Sequence, residues 1–342
     1  MTQATKQWKV AVVGATGLVG GKMLEVLERR NFPVSELVPV ASARSAGKTI
    51  RFRGQEIPVR PIAPAVFEGV DIALFSAGGG TSKEWAPVAA KAGATVIDNS
   101  SAWRMDPEVP LCVPEVNLEA ARHRPKGIIA NPNCSTIQLV LALKPLHDAA
   151  KIRRVVISTY QAVSGAGARA VEGFEEQCRE FAAGKPVEKH GLPAQLAGNL
   201  LMAWPANKEN AYHEEELKMV NETRKILGDE SIRVSPTAVR VPVVNAHSEA
   251  VSVELHAPLT AAQARALLEK APGLRVVDDF VGSGLYPTPL DASGEDDVLV
   301  GRIRADIGNP GGIMMWIVGD NILKGAALNA VQIAEGLFSR GA

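Results

Sequence analysis

The sequence predicts an α/β fold in two parts, a parallel-sheet N-terminal domain followed by a more strand-rich α+β domain. Three observations carry this. At 342 residues the chain is too long for one ordinary core. Through residue 146, short β-branched runs alternate with helical patterns, as in a parallel sheet covered on both faces. Beyond about residue 150, longer runs with alternating apolar residues read as half-buried strands, mostly antiparallel, with interspersed helices.

KVAVV (9–13) is the first strand and ends at Gly14, after which Leu18, Met23, Leu24 and Leu27 share a helix face. LVPVA (37–41) is the second strand, although Pro39 donates no ladder hydrogen bond and is awkward in a central position. VDIALF (70–75) with SAGGGTSKEWAPVAAKAG makes a strand, turn and helix; TVIDNS (95–100) is a strand; GIIANPNCSTIQLVLALKPL (127–146) is a strand, a turn and an apolar helix. RRVVISTYQAV (153–163) opens the second part, with a helix through 167–182 and an amphipathic one in HEEELKMVNETRKILG (213–228). RVSPTAVRVPV (233–243), EAVSVELHAPL (249–259), VLVGRIRADI (298–307) and GIMMWIVG (312–319) are strands. NILKGAALNAVQIAEGLF (321–338) reads as one long closing helix with Asp320 as its N-cap.

Lys+Arg and Asp+Glu both number 37, so no charge excess exists to steer the chain to nucleic acid or a membrane surface. No apolar run approaches the ~18 residues of a membrane span, and MTQATKQWKV enters a strand too early to hold a signal peptide. Cys112, Cys134 and Cys178 form neither a disulfide framework nor a CxxC pair, so no structural metal is expected and a reducing cytoplasm fits.

GATGLVG, Gly14 to Gly20, stands between the first strand and the first helix. Glycines there let backbone approach a pyrophosphate, and the helix start supplies N–H donors. The GxxGxxG spacing departs from the common GxGxxG, so position carries the reading; the alternative is a tight turn with no ligand. After the second strand, ASARSAGK offers Ser42, Arg44, Ser45 and Lys48 and no carboxylate. An arginine among hydroxyls suits a 2′-phosphate and favours NADP over NAD, against the alternative of a solvated basic loop.

NPNCST (131–136) places Cys134 where a strand gives way to an apolar helix. Backbone donors and the dipole at such a position lower a thiol pKa and can hold an oxyanion, to which Asn133 adds an amide. Cys112 and Cys178 lack this setting and read as inert. A thiol nucleophile acting on a carbonyl needs an acid/base partner. Of six histidines, His247 in VRVPVVNAHSEAV is the best placed, with Arg240 nearby as a binder of carboxylate.

These residues resemble the aspartate-semialdehyde dehydrogenase family, in its bacterial NADP-using branch. GATGLVG, ASARSAG, NSSAWRM, VPEVN, NPNCST, STYQAVSGAG, EEELK, VRVPVVNAHSEAV and GDNILKGAA occur in order over essentially the whole chain. The resemblance implies reversible conversion of L-aspartate 4-semialdehyde, phosphate and NADP to 4-phospho-L-aspartate and NADPH. It makes Cys134 the nucleophile, His247 the acid/base, Gln161 the residue that orients substrate, and Arg240 the binder of its α-carboxylate. Glu215 is matched to the substrate amine, with the register among Glu214, Glu215 and Glu216 open, and Lys218 and Arg104 to phosphate, with Asn99 as a helper. Read alone, Glu215 and Lys218 are an ion pair on one helix face, and Arg104 an ordinary surface arginine. Gly14, Thr16, Gly17, Leu18 and Val19 carry the pyrophosphate turn, Arg44 and Ser45 the 2′-phosphate, and Ser164, Gly165 and Asn321 lie toward the nicotinamide. The implied fold is a Rossmann-like NADP-binding domain of residues 1–133 and 321–342, the last helix returning to it, and a catalytic and dimerisation domain of residues 134–320. A homodimer is implied, with a homotetramer open. Trp103 and Pro39 depart from the family's commonest residues.

Three alternatives bear on the same residues. N-acetyl-γ-glutamyl-phosphate reductase shares fold and thiol chemistry, but NPNCST and NAHSEAV speak against it. A non-catalytic NADP-binding paralogue is expected to lose Cys134 or His247, and a thiol switch needs a second cysteine near Cys134; neither pattern is seen.

Overall fold

The structure, a computed structural model, describes residues 6–45, 47–202 and 210–338. The first five residues, on which the reading of the N-terminus partly rests, lie outside them. The chain forms two compact units: one runs to Asn133 and resumes at Ala326, and the other is Cys134–Gly325.

The first unit holds a six-stranded sheet in the order Arg60–Pro61, Val34–Ala41, Trp8–Val13, Ile72–Phe75, Thr95–Asp98, Ile128–Ala130. Every pairing is parallel. The Trp8–Val13 strand is central, and the chain steps from it first to one side and then to the other. Ligands of such sheets collect at this switch point, beyond the carboxyl end of the strand, where Gly14 lies. Val10 to Val13 are almost wholly buried because helices cover both faces. Pro39 is tolerated because the outer neighbour pairs only with Val40 and Ala41, so no ladder hydrogen bond is lost at Pro39 on that side.

The closing helix is built into this unit. Asn329 Nδ2 donates to Asn131 Oδ1 (2.6 Å) and the Cys112 carbonyl (3.0 Å). Arg30 grips Glu335 through two hydrogen bonds of 2.7 and 2.8 Å, and Phe338 meets Trp8 edge-on at 4.9 Å. The segment is not one continuous α-helix. Asp320 Oδ1 accepts from the Ile322 and Leu323 N–H groups, both at 2.9 Å, which bears out its capping role. A π-helical stretch at Leu323–Ala327 follows, with Gly325 N–H also donating to the Asp320 carbonyl (2.9 Å), and the α-helix proper is Leu328–Phe338. π-turns recur at functional sites.

The second unit holds a seven-stranded sheet in the order Leu201–Met202, Arg233–Arg240, Ile152–Gln161, His247–Leu255, Ile313–Gly319, Val298–Ala305, Leu274–Val276. The sheet is mixed: Arg233–Arg240 pairs parallel with Ile152–Gln161, and Leu274–Val276 parallel with Val298–Ala305, while the other pairings are antiparallel. Helix Cys134–Ala150 packs on this sheet and is buried from Ser135 through Leu143. That explains its unbroken apolar run, which has no polar stripe to show to water. Helix Glu214–Leu227 packs against it and is stopped by Gly228 in the left-handed conformation at φ 67°. Among the described residues no helix is long and apolar enough to cross a membrane.

Candidate active site

In the first unit, the glycine turn is fixed by close backbone approach. Gly14 has φ 89°, and a Cβ there would lie 2.5 Å from the Ser76 carbonyl oxygen. A Cβ on Gly20 would lie 2.1 Å from the Gly14 carbonyl oxygen. Gly17 is the N-cap of helix Leu18–Arg29, without a side-chain cap and without an acidic residue in the first turn. The backbone N–H groups at this helix start, with the positive end of the dipole, fit a pyrophosphate. Thr16 Oγ1 approaches Ser45 Oγ at 3.4 Å, with Arg44 exposed beside it. These residues therefore fit a dinucleotide.

The same unit holds Arg104, which is not an ordinary surface arginine. It is only 7% exposed, and Nε donates to the Asn131 carbonyl at 2.9 Å while Nη2 donates to the Asn99 carbonyl at 3.1 Å. Asn131 in turn donates to Asn99 Oδ1 (2.6 Å) and the Ala326 carbonyl (3.2 Å). Asp98 lies beneath this loop; burial pushes its carboxyl up, against the opposing effects of Ser100, Ser82 and Arg104. Trp103 has a defined partner, donating from Nε1 to Ser82 Oγ at 3.0 Å. Asn133, buried, ends the unit.

In the second unit, Cys134 is the first residue of its helix and is half-buried. Gln161 and Arg240 are register partners at the ends of adjacent parallel strands. His247 begins the strand on the other side of Gln161's strand. Three strand ends therefore converge beside the start of the Cys134 helix. Gln161 Nε2 donates to Ser135 Oγ (3.2 Å). Gln138, one helical turn beyond Cys134, is within 3.4 Å of the His247 carbonyl.

The backbone of one residue, Ala162, ties these groups together. The Ala162 N–H donates to His247 Nδ1 at 2.9 Å, and the Ala162 carbonyl accepts from Arg240 Nη1 at 2.5 Å. His247 is 1% exposed; burial pulls its pKa well below the usual histidine value, and the Arg240 cation adds to this. Burial also lowers the Arg240 pKa, opposed by the neighbouring Cys134 and Glu215. Gly165 sits close to both groups: a Cβ there would lie 3.3 Å from Arg240 Nη1 and from His247 Nε2. Ser164 Oγ accepts from Asn321 Nδ2 (2.9 Å), and Asn321 Oδ1 accepts from the Ala246 N–H (3.0 Å). Ala246 is held at φ 69°, an uncommon conformation for a residue with a Cβ and a strain carried immediately before His247.

The three glutamates of EEELK have distinct surroundings. Glu216 completes a capping box with His213 and also accepts from the Ala238 N–H at 2.9 Å. Glu214 is exposed, and Glu215 pairs with Lys218 at 2.6 Å. Cys178 has its thiol pushed up by burial and then by Glu175, as an inert cysteine would. Sequence reasoning missed Ala162, because a backbone donor leaves no trace in residue type. It also missed Gly325, where a Cβ would lie 2.9 Å from Cys134 Cβ. The signal for Gly325 was its place in GDNILKGAA.

The profile described as semialdehyde dehydrogenase, NAD binding domain, matches residues 9–124, and that described as semialdehyde dehydrogenase, dimerisation domain, matches residues 143–324. The aspartate-semialdehyde dehydrogenase of Aquifex aeolicus is 55% identical, over 98% of this chain and 99% of its own. That of Synechocystis sp. is 53% identical, over 97% and 98%. The crystal structure of aspartate semialdehyde dehydrogenase II from Vibrio cholerae, solved also complexed with ASA, superposes with a TM-score of 0.94 at 50% identity, covering 97% of this chain and 98% of that one. With a nucleotide-type turn in the first unit and a cysteine, histidine and arginine gathered in the second, the chain belongs to the aspartate-semialdehyde dehydrogenase family.

Proposed function

We propose that the chain catalyses NADP-dependent reductive dephosphorylation of 4-phospho-L-aspartate to L-aspartate 4-semialdehyde, reversibly, through a thioester on Cys134. The observation that carries this is the gathering of His247 and Arg240 on the backbone of Ala162, with Cys134 acting on Arg240 and Gln161 held by Ser135, the residue after Cys134. Relatives sharing more than half of its residues, and called aspartate-semialdehyde dehydrogenase, supply the substrate.

In the biosynthetic direction, the Cys134 thiolate attacks the acyl phosphate, whose phosphate is held by Arg104 and Lys218. Arg240 takes the α-carboxylate, Glu215 the amine, and Gln161 orients the chain. Glu215 is preferred over its neighbours because Glu216 is committed to the helix cap and Glu214 is exposed. Phosphate leaves and a thioester remains. When bound, NADPH supplies the hydride that reduces it; Gly14, Gly17, Leu18 and Val19 would hold its pyrophosphate. Thr16 belongs to the same turn, Arg44 and Ser45 select the 2′-phosphate, and Ser164, Gly165 and Asn321 serve the nicotinamide end. His247 is the acid/base residue, and Nε2 is the ring nitrogen left for the substrate, since Nδ1 is engaged by Ala162. Asn133 and backbone N–H groups at the helix start hold the oxyanion.

The product feeds lysine and diaminopimelate, threonine, methionine and isoleucine synthesis in the cytoplasm. The unit Cys134–Gly325 serves as the catalytic and homodimer-forming domain; pairing of dimers into a homotetramer is a matter for sedimentation.

The test is NADP reduction by aspartate semialdehyde with and without phosphate, beside Cys134→Ser. The expected results are strict phosphate dependence and no turnover in the variant, with dinucleotide binding retained. Reduction that ignores phosphate, or near-normal turnover without the thiol, refutes the proposal.

A further inference from the structure

We propose that Asp98 is a positioning residue for the phosphate half of the reaction: its carboxyl braces the turn that carries Arg104, and so governs how phosphate is held without touching it. The inference rests on the reading above that Arg104 holds phosphate.

Arg104 needs such a brace. A guanidinium binds phosphate through a planar fork, so the plane must be set in advance to be of use. Yet residues 99–104 belong to neither helix nor strand. The order comes from bonds that start at Asp98, the last residue of the strand Thr95–Asp98. Its carbonyl accepts from the Asn131 N–H at 2.8 Å, and the Asn131 carbonyl accepts from Arg104 Nε at 2.9 Å. Its successor, Asn99, donates its N–H to the Phe75 carbonyl at 2.9 Å and offers its own carbonyl to Arg104 Nη2 at 3.1 Å. Together the two carbonyls set the plane of the guanidinium.

The Asp98 side chain holds the turn between them. Oδ2 accepts from Ser100 Oγ at 2.6 Å, and Ser100 Oγ accepts from the Ala102 N–H at 3.2 Å. The buried Ser82 hydroxyl, on helix Gly79–Lys91, also favours the ionised carboxyl. Ser82 Oγ in turn accepts from Trp103 Nε1 at 3.0 Å. Through two hydroxyls, one carboxyl therefore reaches residues 102 and 103, which immediately precede Arg104.

The role is exercised at a distance. Asp98 is 1% exposed, and an anion in contact with phosphate would repel it. Its influence must pass through the turn. Burial pushes the carboxyl up, and Ser100, Ser82 and Arg104 oppose this. A buried carboxyl is costly unless it is hydrogen-bonded, so a turn that let go of Asp98 would leave that cost unmet. The ordered turn, and with it the set of Arg104, is favoured for this reason. A merely structural residue would weaken every substrate alike, whereas a brace for Arg104 acts on phosphate.

The test is steady-state kinetics of the full-length enzyme, oxidising aspartate semialdehyde with NADP at varied phosphate. Asp98→Ala is expected to raise KM for phosphate about tenfold or more, the scale of one charge-assisted hydrogen bond, with KM for aspartate semialdehyde and for NADP little changed. Asp98→Asn, which keeps an acceptor oxygen for Ser100, is expected to recover most of the loss. Ser100→Ala cuts the same path by a smaller change, and is expected to raise KM for phosphate about threefold or more. Native KM for phosphate in a folded Asp98→Ala enzyme overturns the proposal, and where that variant does not fold, native KM in Ser100→Ala does so. An equal rise in all three KM values, or an Asp98→Asn enzyme no better than Asp98→Ala, also overturns it. A double-mutant cycle separates this role from the reading it rests on, with kcat/KM for phosphate as the measure where saturation is lost. A brace that acts through Arg104 has nothing to brace once Arg104 is gone, so Asp98→Ala or Ser100→Ala is expected to change kcat/KM for phosphate by less than about twofold in an Arg104→Ala background. A full, additive effect there overturns the positioning role and leaves Arg104 its phosphate. An Arg104→Ala enzyme with native kcat/KM for phosphate refutes the assignment of Arg104 itself.

Discussion

Replacing Gly325 with alanine tests the site through a residue that makes no chemical contact with any substrate. The added Cβ would lie 2.9 Å from Cys134 Cβ, 3.3 Å from Cys134 Cα and 3.4 Å from the Asp320 carbonyl oxygen. Carbon atoms in contact settle at about 3.5–4.0 Å, so relief requires a shift of about 0.6 Å or more. Neither neighbour yields freely. Cys134 begins a helix that is buried without a break from Ser135 through Leu143, and Gly325 is pinned by its N–H to Asp320. Overpacking of this kind costs about 1–3 kcal/mol, and alanine recovers roughly 1 kcal/mol over glycine within a helix, so the net loss of stability is about 2 kcal/mol or less. The effect on rate is larger, because displacing a reacting atom by about 1 Å costs on the order of 10²-fold. Gly325→Ala is therefore expected to fold, with kcat reduced by about 10–100-fold and KM changed far less. Steady-state kinetics, urea unfolding and the rate of acyl-adduct formation on Cys134 measure the three parts. Native kcat in a folded variant would refute the reasoning, since the thiol would then tolerate displacement by its nearest backbone neighbour.

Three further outcomes are expected. Glu216→Ala removes one half of the capping box, the acceptor of the His213 N–H, and the partner of the buried Ala238 N–H, at a cost of about 2–3 kcal/mol in urea unfolding, whereas Glu214→Ala is expected to leave stability unchanged. Arg240→Lys loses the fork that serves the Ala162 carbonyl and that the proposed function assigns to the substrate carboxylate, so KM for aspartate semialdehyde is expected to rise about tenfold or more. Glu249 is held uncharged by burial, above its unfolded value of about 4.3. The folded state then binds the extra proton, so its contribution is full below about pH 4.3 and is lost as pH climbs toward the raised folded value. Glu249→Gln removes this loss, and the stability difference between variant and native chain, followed by denaturant unfolding, is expected to move in the variant's favour with rising pH; a difference that is flat with pH would show that the carboxyl is not held uncharged.

The parallel sheet was legible because strands buried on both faces must be apolar throughout, as Val10 to Val13 are. The hairpin of Thr49–Phe52 and Gln55–Pro58 was not. Its strands are mostly exposed, so no burial pattern marks them, and its turn residues, Arg53 at φ 49° and Gly54 at φ 77°, lack the Asn-Gly pair that usually announces such a turn. The closing segment was half legible. Its helix periodicity showed in sequence, but the π-turn depends on backbone bonds five residues apart, which leave no periodicity of their own over so short a stretch.

The candidate site divides along the same line. Cys134, Arg240 and His247 were legible because nucleophile, cation and imidazole have chemistry written into the residue type. What connects His247 to Arg240 was not, because the connector is the backbone of Ala162, whose N–H donates to one and whose carbonyl accepts from the other. A connector made of backbone has a consequence that a side-chain connector lacks. It holds its geometry through any substitution at position 162 that keeps the strand end in place, so side-chain scanning there would report only packing.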